Sequence, residues 1–233
     1  MSLSQFIHWH RVRGVIFDVD GTLYDQKMLR RRMLADILRF YLLRPHQWSE
    51  PRMIFFFRRL REKLADAGHS PHEAIDGVAR KFNISSQYVT SVVDQWVMQR
   101  PLRHLKSCRF PGVAEFIQAL RDRMIPTAVF SDYPAREKLV ALGLPDMPCI
   151  AAQDAEVNRL KPHPRGLEVA AEKLGLNPSE GLFIGDRHER DGLCAMKAGM
   201  PFLILGRGHP PTRPHFHSYW ELLADLNRKE SQS

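Results

Sequence analysis

The sequence predicts an α/β fold: a Rossmann-like three-layer parallel sheet core with an inserted all-helical cap domain. Three observations carry this reading. A short β-branched run at residues 13–17 stops at a pair of aspartates. The apolar period then turns helical over residues 26–99. After residue 101, strand-like and helix-like segments alternate to the end of the chain. Such alternation closes into a parallel sheet with helices on both faces. Residues 1–24 and 101–233 are therefore assigned to the core, and residues 25–100 to the cap.

Residues 13–17, Arg-Gly-Val-Ile-Phe, form a bounded apolar run that reads as a buried strand, and Asp18-Val19-Asp20-Gly21-Thr22 is its turn-rich exit. Within 26–99 the pairs Met28/Leu29, Met33/Leu34, Ile37/Leu38 and Tyr41/Leu42 recur every four or five residues, as do Met53/Ile54, Phe56/Phe57, Leu60 and Leu64. Ser70-Pro71 opens a third helix, with Ser as cap and Pro in the first turn, and turns Ile75, Val78, Ala79 and Phe82 inward. Tyr88/Val89, Val92/Val93 and Trp96/Val97 give a fourth, with the Phe55–Phe57 run and the Tyr88/Trp96 stripe expected in the cap's interior. In the core, strands are expected at 127–130, 149–152, 181–184 and 201–205. Helices are expected at 112–123, 134–142, 164–174, 189–198 and 217–226, three of them stopped by Gly143, Gly175 and Gly199. Residues 206–214 read as a loop.

Bulk properties narrow the class. With 233 residues, 44% hydrophobic and 26% charged, the chain has the composition of a globular protein rather than a disordered one. In its basic first third the longest purely apolar run, residues 53–57, is far too short to cross a bilayer. The N-terminus lacks the pattern of a signal peptide. Cys108, Cys149 and Cys194 lie far apart with no metal-finger spacing, as expected of reduced thiols in a cytoplasmic protein. The net charge of +8 is local. Residues 26–63 hold 11 Lys/Arg against three acids, and the rest of the chain is balanced. Such a segment attracts anions, although a solvated helix face gives the same pattern.

Four groups of chemically capable residues fall at the C-terminal ends of separate expected strands: Asp18/Asp20, Ser131/Asp132, Lys161, and Asp186/Asp191. In a parallel sheet these ends gather at one crevice. Acids gathered there repel one another unless a cation intervenes. A hard divalent ion such as Mg2+ suits oxygen ligands in a site that also takes phosphate. A helical block leaving from the same edge is placed to act as a lid.

Val-Ile-Phe-Asp-Val-Asp-Gly-Thr-Leu at 15–23, Val-Phe-Ser-Asp at 129–132, Lys161-Pro162, and Phe-Ile-Gly-Asp followed by Asp191 together resemble the four-motif signature of the haloacid dehalogenase superfamily, in the right order. The helical insertion resembles that superfamily's type 1 cap. The resemblance implies a Mg2+-dependent phosphohydrolase in which Asp18 is the nucleophile that forms an aspartyl-phosphate. Asp20 is then the general acid for the leaving alcohol and the base for water, with a raised pKa. Metal binding falls to Asp18, the Asp20 backbone carbonyl and Asp186, with Asp191 holding the metal site through water or Lys161. Ser131 binds the phosphoryl oxygens, with Asp132 beside it, and Lys161 neutralises nucleophile and phosphoryl charge. Gly21 lets backbone amides approach the phosphate. Ser131-Asp132 also fits an N-cap for the helix near residue 134.

The expected partner is a small phosphorylated metabolite. Nucleic acid is not favoured, and no feature fixes the oligomeric state. A phosphomutase of the same superfamily, or a phosphate-binding module with a basic cap docking on anionic partners, are the competing readings. A dehalogenase disagrees with Asp20. One or two of Arg30, Arg31 and Arg32 are expected to reach the crevice and favour a second anionic group on the substrate. Arg190 departs from the small polar residue usual before the second aspartate of the fourth motif. His163 and His188 are expected to face solvent or stand behind the site, and His209, His215 and His217 to bind no metal.

Overall fold

A computed structural model of the chain describes residues 3–66, 73–206 and 213–228. Six parallel strands run in the order β3-β2-β1-β4-β5-β6: β1 (Gly14–Phe17), β2 (Thr127–Ser131), β3 (Cys149–Ala151), β4 (Gly181–Gly185), β5 (Phe202–Leu205) and β6 (His215–Phe216). β1 is central, with Ile16 opposite Ala128 on one side and Phe183 on the other. Successive connections leave toward opposite edges at this point, and a crevice forms beyond the strand ends.

The strands are buried on both faces, and their alternation sorts the core into two layers. Val15, Phe17, Val129, Leu182, Ile184 and Leu203 face α6 (Val113–Asp122) and α10 (Tyr219–Arg228). Ile16, Ala128, Phe130, Ile150 and Phe183 face α8 (Arg165–Leu174) and α9 (Leu193–Ala198). This is the three-layer α/β arrangement that the alternation predicts. Gly143, Gly175 and Gly199 adopt left-handed conformations at the ends of α7 (Arg136–Leu142), α8 and α9, the turn that lets each helix stop and the next strand begin.

Between β1 and β2 lie α1 (Gln26–Leu42), α2 (Ser49–Asp66), α3 (Glu73–Phe82), α4 (Ser86–Val93) and α5 (Arg100–Cys108). Asp25 starts α1 by accepting hydrogen bonds from the Lys27 and Met28 amides. Ser85 starts α4 in the same way through Tyr88 N–H. A π-helical turn at Asp94–Gln99 joins α4 to α5, so the chain stays helical through Pro101, which sits in a first turn where its missing N–H does no harm. Residues 102–108, unassigned by periodicity, extend this helix.

At most one member of each apolar pair in α1 is buried, because adjacent residues on a helix point about 100° apart. Leu29, Met33 and Tyr41 face inward, while Met28, Leu34, Leu38 and Leu42 face solvent. The Phe55–Phe57 run divides for the same reason: Phe57 is buried and Phe55 is 69% exposed, against the expectation of three core residues. Trp96 is wholly buried, but Tyr88 is largely exposed and donates its hydroxyl to Glu50. Ser70-Pro71 and His209 lie outside the described residues. No helix among the described residues is long and apolar enough to cross a membrane.

Candidate active site

β1, β2 and β4 each deliver one of the expected groups to the crevice, and the loop beyond β3 delivers Lys161. Its Nζ is the hub. It donates to Asp18 Oδ1, and to Asp191 Oδ1 at 2.7 Å, with all three side chains almost fully buried. Asp18 Oδ2 accepts from the Thr22 hydroxyl at 2.8 Å. Asp191 Oδ2 accepts from the Asp186 and Arg187 amides at 3.2 and 2.9 Å, which folds the β4 exit around it. The carboxylate oxygens of Asp18, Asp186 and Asp191 lie within 4.8 Å of one another.

This crowding sets the electrostatics. Burial is the largest influence on Asp18 and pushes its carboxyl up to about 7, with the charges of Asp191 and Asp20 adding to the effect and Lys161 opposing it. Asp186 is pushed up to about 8 by burial and by the charges of Asp18 and Asp191. Burial would lower the Lys161 ammonium, yet Asp18 and Asp191 hold it well above the usual lysine range. One lysine shared between two of three clustered carboxylates is the donor set a hard divalent cation fits, since oxygen ligands and excess negative charge are both present. Gly21, with φ of 101°, completes the cradle: a Cβ there would run into the Asp186 carboxyl group.

Asp20 departs from expectation. It stands outside the carboxylate triad and turns toward α7, where Lys138 Nζ donates to both its oxygens at 2.6 and 2.7 Å and the Tyr24 hydroxyl donates to Oδ1. Burial pushes its carboxyl up, but Lys138 and Tyr24 together outweigh burial and hold it below the ordinary aspartate value. The raised pKa expected from the sequence is therefore corrected. Lys138 is the functional residue that sequence reasoning missed, for it sits inside a helix and belongs to no short motif.

The Ser131 side chain is fully buried and its Oγ accepts from the Tyr133 amide at 3.2 Å. It does not cap α7, whose N-cap is Ala135 with no side-chain hydrogen bond, so the capping expectation is corrected. Asp132 Oδ1 accepts from the Lys161 amide at 3.1 Å and Oδ2 lies 3.6 Å from Arg190 Nη1. Arg190, the unusual residue, also donates to the Glu62 carbonyl at 3.0 Å, so it ties the β4 exit to α2. Arg61 of α2 reciprocates by donating to the Asp132 carbonyl and covering the Tyr133 ring at 4.0 Å. His163 is exposed and accepts from the Arg165 amide, His188 packs beside Phe202, and among the described residues the only cluster suited to a metal is the aspartate triad.

A cavity of about 160 Å³ opens over this constellation. Asp18, Asp20, Lys161 and Asp186 form its floor, and Leu29, Met33, Leu102 and Leu105 from α1 and α5 form an apolar wall. Of the three arginines weighed from sequence, Arg30 lines the cavity and Arg31 and Arg32 do not.

A switch-point crevice floored by a buried lysine and clustered aspartates, under a helical insertion, defines an enzyme site in an α/β fold built for anionic chemistry. Over residues 12–199 the chain matches the haloacid dehalogenase-like hydrolase family, and it belongs to that family. It is similar to the glyceraldehyde 3-phosphate phosphatase of Methanopyrus kandleri, with 26% identity covering 84% of this chain and 85% of that protein. It is also similar to the phosphoglycolate phosphatase of Rhodobacter capsulatus, with 27% identity covering 88% and 93%. Among solved structures, a magnesium-bound HAD-hydrolase from Bacillus subtilis shares the fold at a TM-score of 0.67, with 16% identity over 93% of this chain and 99% of that one. A 2-haloacid dehalogenase from Pseudomonas syringae shares it at 0.64, with 20% identity over 94% and 99%.

Proposed function

We propose that this chain is a Mg2+-dependent phosphohydrolase that cleaves a small phosphate monoester through an aspartyl-phosphate on Asp18. The observation that carries the reading is the bridge of Lys161 between Asp18 and Asp191, with Asp186 alongside. It leaves a carboxylate nucleophile buried, aligned and held by a cation at the base of a small cavity. The curated relatives are phosphatases of small phosphate esters, which supports the same substrate class here.

A phosphate dianion and a carboxylate repel each other, so the charges that hold them together dominate the barrier. Lys161 supplies one such charge. Mg2+ held by Asp18, Asp186 and the Asp20 carbonyl, with Asp191 behind, would supply the rest as a Lewis acid. Asp18 attacks phosphorus with the oxygen not engaged by Lys161, Thr22 holds the rotamer, and the leaving oxygen departs toward Asp20. Asp20 withdraws a proton from water in the second half-reaction; to hand one to the leaving oxygen in the first it must itself be protonated, which requires its pair with Lys138 to open. In the arrangement described, its ion pair with Lys138 sets it in the ionised form required for the second. Asp132 lines the cavity on the β2 side, and Ser131 and Gly21, just behind it, are the groups that would meet the phosphoryl oxygens. Residues 25–100 act as the cap and the remainder as the core, with Arg61 and Arg190 fastening one to the other.

The test is release of inorganic phosphate from p-nitrophenyl phosphate and from small phosphorylated metabolites with Mg2+. Activity is expected to vanish with chelator and to fall by at least about two orders of magnitude in Asp18→Asn and Asp20→Asn, the scale set by nucleophilic and acid–base catalysis. Folded wild-type protein with Mg2+ and no turnover on any phosphate ester would overturn the reading.

A further inference from the structure

Matching each charge around the cavity with its partner leaves a surplus. Lys161 is taken by Asp18 and Asp191, Lys138 by Asp20, Arg190 by Asp132, and Arg187 lies 3.8 Å from Glu62. Three arginines of the helical insertion that line the same cavity, Arg30, Arg58 and Arg61, have no carboxylate partner among the described residues. Arg58 and Arg61 lie three residues apart on one face of α2, Arg30 lies on α1, and all three reach the cavity from the helical insertion.

Their states differ in an informative way. Arg61 is 6% exposed, yet its Nε has no hydrogen-bond partner among the described residues, although its other end is anchored to the Asp132 carbonyl and stacked on Tyr133. That guanidinium is held in place and its Nε is closed off from water, so it brings fixed positive charge to the cavity wall rather than a free donor. Arg58 shares the cavity lining with Asp20, with Tyr24, whose hydroxyl donates to Asp20, and with Tyr133, so its charge belongs to the part of the cavity toward which the leaving group would depart. The phosphoryl group itself would be met by Lys161 and by a cation held on the carboxylate triad, so these arginines are not needed for it.

We propose that Arg58 and Arg30, with the anchored Arg61 adding its charge from behind, form a seat for a second anionic group on the leaving-group side of the substrate. The substrate class is then a short phosphate monoester carrying a carboxylate or a second phosphate a few atoms from the scissile oxygen. This rests on the phosphohydrolase reading and adds the specificity determinant to it. The cavity, of roughly 160 Å³, has room for a short doubly anionic ester. A guanidinium fork presents paired donors to either oxyanion.

The experiment compares kcat/KM for three short phosphate monoesters in wild type and Arg58→Gln: ethyl phosphate, 2-phosphoglycolate, and 1,3-propanediol bisphosphate. Wild type is expected to prefer one or both of the doubly anionic esters by about tenfold or more. Arg58→Gln is expected to narrow that preference about 10- to 100-fold, chiefly through KM, as loss of a charge-assisted hydrogen bond predicts. Preference for phosphoglycolate alone identifies a carboxylate seat, and preference for the bisphosphate alone a phosphate seat. Arg58→Lys, which keeps the charge but loses the fork, should fall between wild type and Arg58→Gln, and thermal melts show that each variant is folded. Turnover of all three esters without preference, or an equal loss on all three in folded Arg58→Gln, overturns the seat and leaves the phosphohydrolase standing. No turnover of any ester ends both.

Discussion

The grip of Lys138 on Asp20 is a two-point ion pair with both side chains largely buried. Removing one partner strands the other charge away from water. Lys138→Met is therefore expected to destabilise the fold by about 3 kcal/mol, toward the lower end of the range for breaking a buried pair. The double variant Lys138→Met/Asp20→Asn should recover most of that loss, because no unpaired charge remains. Urea unfolding of both single variants and the double closes the cycle, and strict additivity would show that the pair is not coupled. Gly21 makes a second case. Its φ of 101° and the Asp186 carboxyl against it leave no room for a methyl group. Gly21→Ala should lower stability by about 1–3 kcal/mol and weaken Mg2+ binding measured by titration calorimetry, since Asp186 must move. These two residues differ in how readable they were. Gly21 stands inside a run whose residue types announce their chemistry. Lys138 is one lysine among many on a helix, and only the fold reveals that its side chain crosses to a carboxylate 118 positions earlier. The pKa of Asp20 was misjudged for the same reason, as a partner from another element reversed the effect of burial.

Elements were legible where periodicity has enough length to speak. The strand–helix alternation and the glycine stops gave the core, because each such segment is bounded by residues with few other uses. β6 has two residues and no period to read, and the π-helical turn at Asp94–Gln99 keeps helical spacing from showing where α4 passes into α5. Paired apolar residues in α1 did not reveal which member faces inward. In the insertion, the contact among α1, α2 and α4 depends on a polar cluster that no hydrophobic pattern marks: the hydroxyls of Tyr41 and Tyr88 both donate to Glu50, a buried carboxylate. This has a pH consequence. The hydrogen bond to Glu50, followed by burial, lifts the Tyr88 phenol from 10.0 to about 12, and burial with Glu50 lifts Tyr41 further. A folded-state pKa above the unfolded one gives stability that is complete below the unfolded value and is lost as pH rises through the folded one. Unfolding free energy should thus decline between pH 10 and about 12, as the unfolded tyrosines ionise while the folded ones resist. Tyr41→Phe/Tyr88→Phe should be less stable near neutrality but decline less over that window, and equal slopes for the two proteins would exclude the cluster as the cause.

At the scale of the whole molecule, groups separated by up to 173 positions, from Asp18 to Asp191, meet only because a parallel sheet brings every strand's C-terminal end to one edge. The fold concentrates acids at that edge, and the concentration opposes stability. Asp18 and Asp191 share one lysine, with Asp186 alongside and unpaired by it, and burial with mutual repulsion raises Asp18 and Asp186 far above ordinary carboxylates. A protein arranged in this way trades stability for function, and the trade can be measured. Without divalent ions, Asp186→Asn should be more stable than wild type by about 1 kcal/mol, a rise of roughly 2–4 °C in melting temperature for a chain of this size, because one of three crowded charges is gone. With Mg2+ at about 100 times its dissociation constant, wild type should gain about 2.7 kcal/mol, or roughly 5–10 °C. Asp186→Asn should gain far less, so that the order of the two proteins reverses. Melting curves of both, with chelator and with Mg2+, decide the matter. If Asp186→Asn melts below wild type in chelator, the triad is held by contacts other than a cation. If Mg2+ stabilises both proteins equally, the ion binds elsewhere on the chain.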